Sequence, residues 1–581
     1  MLKSTTFAIL LLFVCSIVGA QSARVPLGAD DYYNLDRVQT KVGRLSDTLC
    51  LSDKAEYRKD VTAFAQRVLN DLSENGNKGN LSQRDIFNLQ QIVAENREWS
   101  TSARGADSVK RHSDPYNMLF FNKKNFLFSI NPVVSLGGSF ADESTSISKS
   151  NNIYGLGVLG VTGRGRIGKR IGFEFLATGS AERFNDAMSI YSYRSATTYI
   201  IPGAGMGNWS DNYRNVMYAQ LTGAVDIAVL KDYVNVTVGN GKHFIGDGTT
   251  SLFLTDFSAN MPYMQLRARV WKLNYDVIYA QLTPQFESEV STPKTLTKYT
   301  TMHYITLNVT KWMNLGFFES VVFSRDKSYE VSYLNPIALT IAANAYNGEY
   351  DKSLVGLTSK FYIAKHIQLY AQMMFNEFKS DEFFSNKGWY GNKWGFQSGI
   401  KYFDVLGVQN LDMQGEFTCV RPYTYTAKST DVDYTHYNQP LADPLGAGYM
   451  KYVVNVRYQP LTRLVASLNF VYYKNGLDSG GFDNGNNIFI PYVNAPAGSK
   501  TYGVNMLNGA IGQCNMVNFN LSYKIRGGIY FDLGYGYRKY EIESGRHPLS
   551  GTIGSIDQNS SASSVNFGLR ANIARRNNTF Y

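Results

Sequence analysis

From about residue 116 the chain alternates apolar and polar positions with a period of two. Over Val517–Ile525, Val517, Phe519, Leu521, Tyr523 and Ile525 share one side, and Asn518, Asn520, Ser522 and Lys524 share the other. Ile529–Tyr537 repeats the pattern, with Tyr530 alone out of phase, and so do Val454–Tyr458, Leu464–Phe470 and Val565–Ile573. Such alternation predicts strands with one apolar and one polar face. Upstream the period is helical. Tyr57, Val61, Phe64, Val68 and Leu72 predict one helix, with Asp53 and Glu56 as a capping box at its start. Asn75–Asn80 breaks the pattern. Ser82 then caps a second helix with the stripe Ile86, Leu89 and Val93, closed by Trp99. One apolar stripe each gives a helical hairpin over 51–100 that must pack against something larger.

Two-faced strands have two solutions. In water two sheets bury their apolar faces against each other; in lipid a closed barrel turns them outward around a polar lumen. Runs of ~9 residues match a tilted bilayer crossing. Aromatic residues near strand ends (Phe120, Phe121, Tyr472, Tyr473, Tyr535, Tyr537) suit interfacial girdles. Tight connections such as Arg526–Gly528 alternate with long polar ones such as 474–503, the asymmetry of periplasmic turns and outer loops. The expected fold is an all-β transmembrane barrel over 116–581, with the 51–100 hairpin as a periplasmic plug. At ~22–28 residues per strand with its connection, the chain accommodates roughly 16–20 strands.

Composition sharpens the choice. The 581 residues include 41 Tyr, 34 Phe and 51 Gly, and only 18% are charged. Mean hydropathy is −0.24, against a helical membrane protein. Residues 1–20 read as a signal peptide: Lys3, an apolar run from Phe7 to Val18, then the small-residue site Val18-Gly-Ala20. Residues 21–50 form an N-terminal extension and 101–115 a linker. Beyond the leader stand Cys50, Cys419 and Cys514, too few for a disulfide framework, whether as isolated thiols or with one bridge.

Motifs for chemistry fail on context. Gly155-Leu-Gly-Val-Leu-Gly160 spells a dinucleotide fingerprint but precedes no helix; glycines on one strand face, making room in a crowded lumen, is the preferred reading. The six histidines lack zinc spacing, and Asp483–Ile488 lacks the glycine and glutamate of a calcium loop and reads as a solvated loop. No enzyme, metal, cofactor or nucleic-acid partner is indicated. The net charge of +10 fits a basic lumen that attracts an acidic polymer.

One region breaks the alternation: Gly239-Asn-Gly-Lys-His-Phe-Ile-Gly-Asp-Gly248. With Tyr333-Leu-Asn-Pro336, Asn376-Glu-Phe378, Asn392-Lys-Trp-Gly395, Arg421-Pro-Tyr-Thr-Tyr425, His436-Tyr-Asn-Gln-Pro440 and Glu95-Asn-Arg-Glu-Trp99, it resembles the Wzi family of capsule-assembly outer-membrane barrels. The resemblance is to its Bacteroidota branch, often named after the gliding-motility protein RemB. It implies an 18-stranded barrel closed on the periplasmic side by a helical element. It also implies a non-enzymatic role in assembling or attaching capsular polysaccharide or exopolysaccharide, or in gliding and adhesion.

Lys242, His243, Asp247, Arg267, Arg269, Glu319, Glu330 and Arg421 are the candidate polysaccharide-binding or lumen network. The competing reading has these residues satisfy one another between wall and plug. Expected partners are outer-membrane lipids, the polysaccharide and the barrel-insertion machinery, which would read the terminal strand 566–573. A gliding role adds a surface or motility protein bound by the loops at 425–449 and 474–503. A diffusion porin is the remaining alternative.

Overall fold

The computed structural model describes residues 22–76, 80–99, 108–111, 116–145, 149–192, 200–210, 215–230, 233–285, 297–337, 339–348, 350–478, 483–494, 501–543 and 559–575. The proposed signal peptide, and most of the proposed linker, lie outside them.

Eighteen antiparallel strands close into a barrel. They are β1 (Phe126–Thr145), β2 (Lys149–Ile167), β3 (Ile171–Arg183), β4 (Asn215–Leu230), β5 (Val234–Gly241), β6 (Met261–Val270), β7 (Leu273–Leu282), β8 (Thr297–Asn308) and β9 (Met313–Arg325). The second nine are β10 (Lys352–Ile363), β11 (Ile367–Glu377), β12 (Lys393–Tyr402), β13 (Leu411–Val420), β14 (Tyr449–Leu461), β15 (Leu464–Leu477), β16 (Ala510–Arg526), β17 (Ile529–Ile542) and β18 (Ser560–Ala571). Each pairs with its sequence neighbour, and β18 closes on β1 from Ser560↔Thr145 to Ala571↔Val134. Closure leaves no unpaired edge, the condition for strands to cross lipid. No described helix is long and apolar enough to cross a membrane.

Alternation sorts the wall. Leu136, Ile153, Leu159, Leu221, Leu357 and Phe567 stand exposed on the outer face. Connections at one end are short (168–170, 271–272, 309–312, 527–528) and most at the other are long (184–214, 326–351, 421–448, 478–509). The short-turn end is periplasmic; Trp271 and Trp312 stand exposed on its turns, as an aromatic girdle requires. Two expected girdle residues turn inward instead: Phe120 and Tyr473 are buried.

The glycine reading of 155–160 needs correction. Gly155 and Gly157 have the parity of exposed Ile153 and Leu159 and face outward, whereas Gly160 faces the lumen. Nearby Gly163 and Gly165 also face outward; a Cβ there would strike the rings of Phe175 and Phe173, which lie over the bare backbone.

Two helices lie within 51–100, α2 (Arg58–Asn75) and α3 (Gln83–Glu95), and a further helix upstream, α1 (Asp30–Val42), joins them in a three-helix bundle. Val38, Leu35, Val61, Phe64, Leu89 and Ile92 share one core. Ser82 does cap α3, reciprocally with Asp85. The expected box at Asp53 and Glu56 does not form; Tyr57 precedes α2 without a side-chain cap. The bundle seats in the short-turn mouth. Leu45 N donates to Lys311 O, Ser82 contacts Asn410, and Lys524 reaches Glu95 at 2.7 Å.

Candidate functional site

The stretch that broke the alternation is a strap, 242–260, that leaves β5 and folds back into the lumen. Gly246 and Gly248 make this path passable: a Cβ on Gly248 would lie 2.4 Å from the Glu416 carboxylate, and one on Gly246 2.8 Å from Gln372. Within the barrel, Phe244 and Ile245 pair with Lys54 and Asp53 of the N-terminal segment in a two-stranded ribbon. Gly246 N extends it by donating to Ser52 O at 2.7 Å. Phe253 stacks on Phe318 of the wall, centroids 4.5 Å apart. Ile245, Leu252, Leu254, Met374, Tyr425 and Tyr434 join them in the largest apolar core. Residues 22–57, the strap and loop 421–448 thus form a column filling the lumen against β6–β13.

Most of the candidate network lies at this seam. Arg267, fully buried, donates to Ala55 O at 2.9 Å and pairs with Asp53 and Asp276 at 3.0 Å each. Arg269 pairs with Glu56 at 2.8 Å and donates to Thr48 O at 2.7 Å. The carboxylates expected to cap a helix instead neutralise wall arginines. Asp247 accepts from Ser52 at 2.8 Å and pairs with Lys360. Lys242 donates to Gly203 O at 2.7 Å and Asp256 O at 3.1 Å. His243 packs edge-on against Tyr263, and neither ring nitrogen finds a partner among the described residues. Burial, and secondarily Arg24, pushes its pKa down to about 3, so it stays neutral. Arg421 donates to Val504 O at 3.0 Å in the outer mouth.

Glu319 and Glu330 are not in the lumen. Register places Glu319 beside Val355 and opposite His303, on the outer wall, because the neighbouring Phe318 faces inward onto Phe253. Glu330 pairs with Arg325 at 3.1 Å in the loop above. Alternation gives two faces but does not label them where polar residues occupy both.

Further ion pairs tie the column and bundle to the wall. Arg24 meets Asp226 at 3.0 Å; Arg37 meets Asp85 at 2.7 Å, Asp404 at 2.6 Å and Asp412; Lys401 meets Asp36 at 2.6 Å. Asp443 and Asp433 of loop 421–448 hold Lys451 and Lys298. Buried charges demand partners, so these are bolts between wall and column. The three cysteines are free thiols.

Against the opposite wall a cavity of about 720 Å³ remains open. It runs from loop residues Asn185–Met188 and Pro202–Ala204 down to Tyr33 of α1. Its lining mixes small polar side chains with charged ones, Arg457, Asp532, Arg538 and Arg570 among them. Asn455 pairs in register with Asn469, and Asn469 with Asn518. One step along, Ser467 pairs with Asn520, which faces Gly534, then Asn566, then Ser139. Gly534 and Gly536 leave the asparagines uncovered. Buried Tyr154 and half-buried Tyr218 also line it, hydrogen-bonded to Glu143 and Glu182. Each asparagine amide both donates and accepts, matching a hydroxyl-rich ligand. This lining escaped the sequence reading because every lumen face alternates alike; the signal was the density of Asn, Ser and Gly in 518–536 and 562–568. Among the described residues no three His, Cys, Asp or Glu side chains cluster as metal ligands.

The closed wall, its apolar outer face and the polar interior define an outer-membrane β-barrel of eighteen strands. No protein-family model and no curated protein matches the chain. Among solved structures it is similar to Wzi, an outer membrane protein involved in group 1 capsule assembly in Escherichia coli and a carbohydrate-binding β-barrel. That likeness has a TM-score of 0.53 at 12% identity, over 95% of this chain and 99% of Wzi. OprD from Pseudomonas aeruginosa aligns with a TM-score of 0.39 at 10% identity, over 77% of this chain and 94% of OprD. OccAB2 from Acinetobacter baumannii gives 0.39 at 11% identity, over 76% and 98%.

Proposed function

We propose that this barrel is a non-enzymatic surface protein that holds capsular polysaccharide or exopolysaccharide at the outer membrane, as a Wzi-type barrel. The asparagine-lined cavity carries the reading. It presents asparagine amides for hydroxyls and a cationic excess for acidic sugars (Arg183, Lys242, Arg457, Arg538 and Arg570 against Glu143, Glu182 and Asp532), and it abuts the outer loops. The fold likeness to a carbohydrate-binding barrel supports it. Lys242, from the candidate network, lines the same cavity; the other candidates serve the column, the mouth or the outer wall.

Two competing readings fit less well. A diffusion porin needs an open lumen, and here the column occupies one side of it. A gliding or adhesion role needs projecting loops, yet Tyr423 and Arg421 donate to Asp483 O and Val504 O, locking the loops at 421–448 and 478–509 to each other. The test is surface retention of polysaccharide in a deletion strain complemented with wild type or with Asn518→Leu/Asn520→Leu. Loss restored by wild type alone is expected; unchanged retention in the deletion strain removes the proposal.

A further inference from the structure

The outer wall carries a feature the lumen does not explain. Loop 326–351 folds down over the outside of β7–β10. Its described residues include a 3₁₀ turn (Val331–Leu334) and a short helix (Thr340–Tyr346). Beneath it the outward positions are polar, and they bond the loop. Tyr275 donates to Pro336 O, Tyr279 to Leu334 O at 3.0 Å, and Thr301 to Tyr333 O at 3.2 Å. Glu319 accepts from Thr340 N at 2.8 Å and pairs with His303 at 3.0 Å. Tyr333 packs with Val321 and Phe323 of β9.

The loop's other side is apolar. Ile337 is 88% exposed, Val331 76% and Tyr346 92%, and Leu339 and Ile341 are also exposed. Depth decides what surrounds them. Glu319 lies six positions along β9 from Met313, beside the exposed Trp312 of the periplasmic turn. At ~3.3 Å per residue and a tilt of 35–45°, that is roughly 15 Å up a hydrocarbon band about 25 Å tall. Pro336 descends further, to Tyr275 near the foot of β7. Non-helical backbone at that depth must have its polar groups satisfied. The outward Tyr, Thr, His and Glu side chains do this, which accounts for polar residues on a lipid-facing wall.

We infer that residues 329–337 and 339–348 form a re-entrant strap lying in the bilayer hydrocarbon, its exposed apolar side chains against lipid acyl chains. The exposed apolar band of the wall continues below it at Ile305, Leu315 and Leu357. The polar pair His303–Glu319 is sealed between strap and strands.

The test uses the full barrel in proteoliposomes, with Cys50→Ser removing the least buried thiol. A spin label is placed through Ile337→Cys and, separately, Val331→Cys. Controls are Leu357→Cys on the outward wall and Tyr502→Cys in an outer loop; heat-modifiable gel mobility selects folded barrels. Collisions with oxygen and with an aqueous nickel chelate are compared. The strap labels should match Leu357→Cys, with an oxygen-to-nickel ratio roughly tenfold above Tyr502→Cys. A ratio like that of Tyr502→Cys overturns the inference. So does low access to both reagents, which would mean a second protein copy covers the strap. Should Ile337→Cys fail to fold, Val331→Cys decides.

Discussion

The two sides of this barrel share one strand grammar and differ in what stands inside them. Along β6–β13 the inward side chains are packed against the column: Ile278, Met302, Phe318 and Leu354 are buried apolar, and Arg267 and Lys360 are buried charges with partners. Along β14–β18 and β1–β4 much of the inward face lines the cavity instead, with Asn455, Asn518, Thr178 and Gly534 beside Arg457, Asp532 and Arg538, while a smaller cluster around Val471, Cys514 and Met516 is dry. An inward position is therefore not an environment. Whether it is dry or wet is set by segments far away in sequence that return to cover it.

The contrast can be broken most sharply at Arg267. Replacement by Met leaves the buried Asp53 and Asp276 carboxylates without their arginine, at a cost of about 3–5 kcal/mol. Residues 22–57 should release from the lumen. Protease cleavage within this segment and a rise in single-channel conductance in planar bilayers measure it. Phe253→Ala comes next: the lost stack on Phe318 and the cavity left behind cost about 3–5 kcal/mol, and urea unfolding should shift without loss of the β-sheet circular dichroism of the wall.

On the wet side the order inverts. Asn520→Leu should change stability by no more than ~0.5 kcal/mol while weakening polysaccharide binding to the purified barrel by up to about tenfold, one or two hydrogen bonds' worth. An equal stability loss on the two sides would erase the distinction.

The smallest effect lies at the seam between the loops. Asp483, expected to be solvated, is buried, and burial together with Asp478 pushes its pKa up to about 7. The folded state then holds a proton that the unfolded chain has lost between about pH 4 and 7, so loop docking weakens as pH rises through that window and levels off above it. Hydrogen exchange at 483–494, corrected for intrinsic rates, should be slower at pH 5 than at pH 8. Asp483→Asn should flatten the difference.

Much of the wall was legible. The alternation at 454–458, 464–470, 517–525 and 529–537 falls within strands, that at 565–573 runs two residues past the end of β18 at Ala571, and the tight turn at Gly527 is where it was expected. Helix α1 was missed because its apolar stripe is short, Tyr32, Leu35 and Val38, and its other buried positions are polar: Asp36, Arg37, Gln39, Thr40 and Lys41 face a polar lumen. Glu319 was assigned to the wrong face because a strap from the next loop makes an outward position polar. In both cases the local pattern was correct for a neighbour supplied by another part of the chain.

The ribbon joining Asp53–Lys54 to Phe244–Ile245 also sets a timetable. Its halves lie far apart in sequence, and loop 421–448 packs against them later still. Residues 53–54, near the start of the chain, must wait, uncommitted, for hairpins that come much later in it. Contacts of such long sequence separation form slowly, so the hairpins of the wall can form before its filling sets. Until then the newborn barrel is hollow.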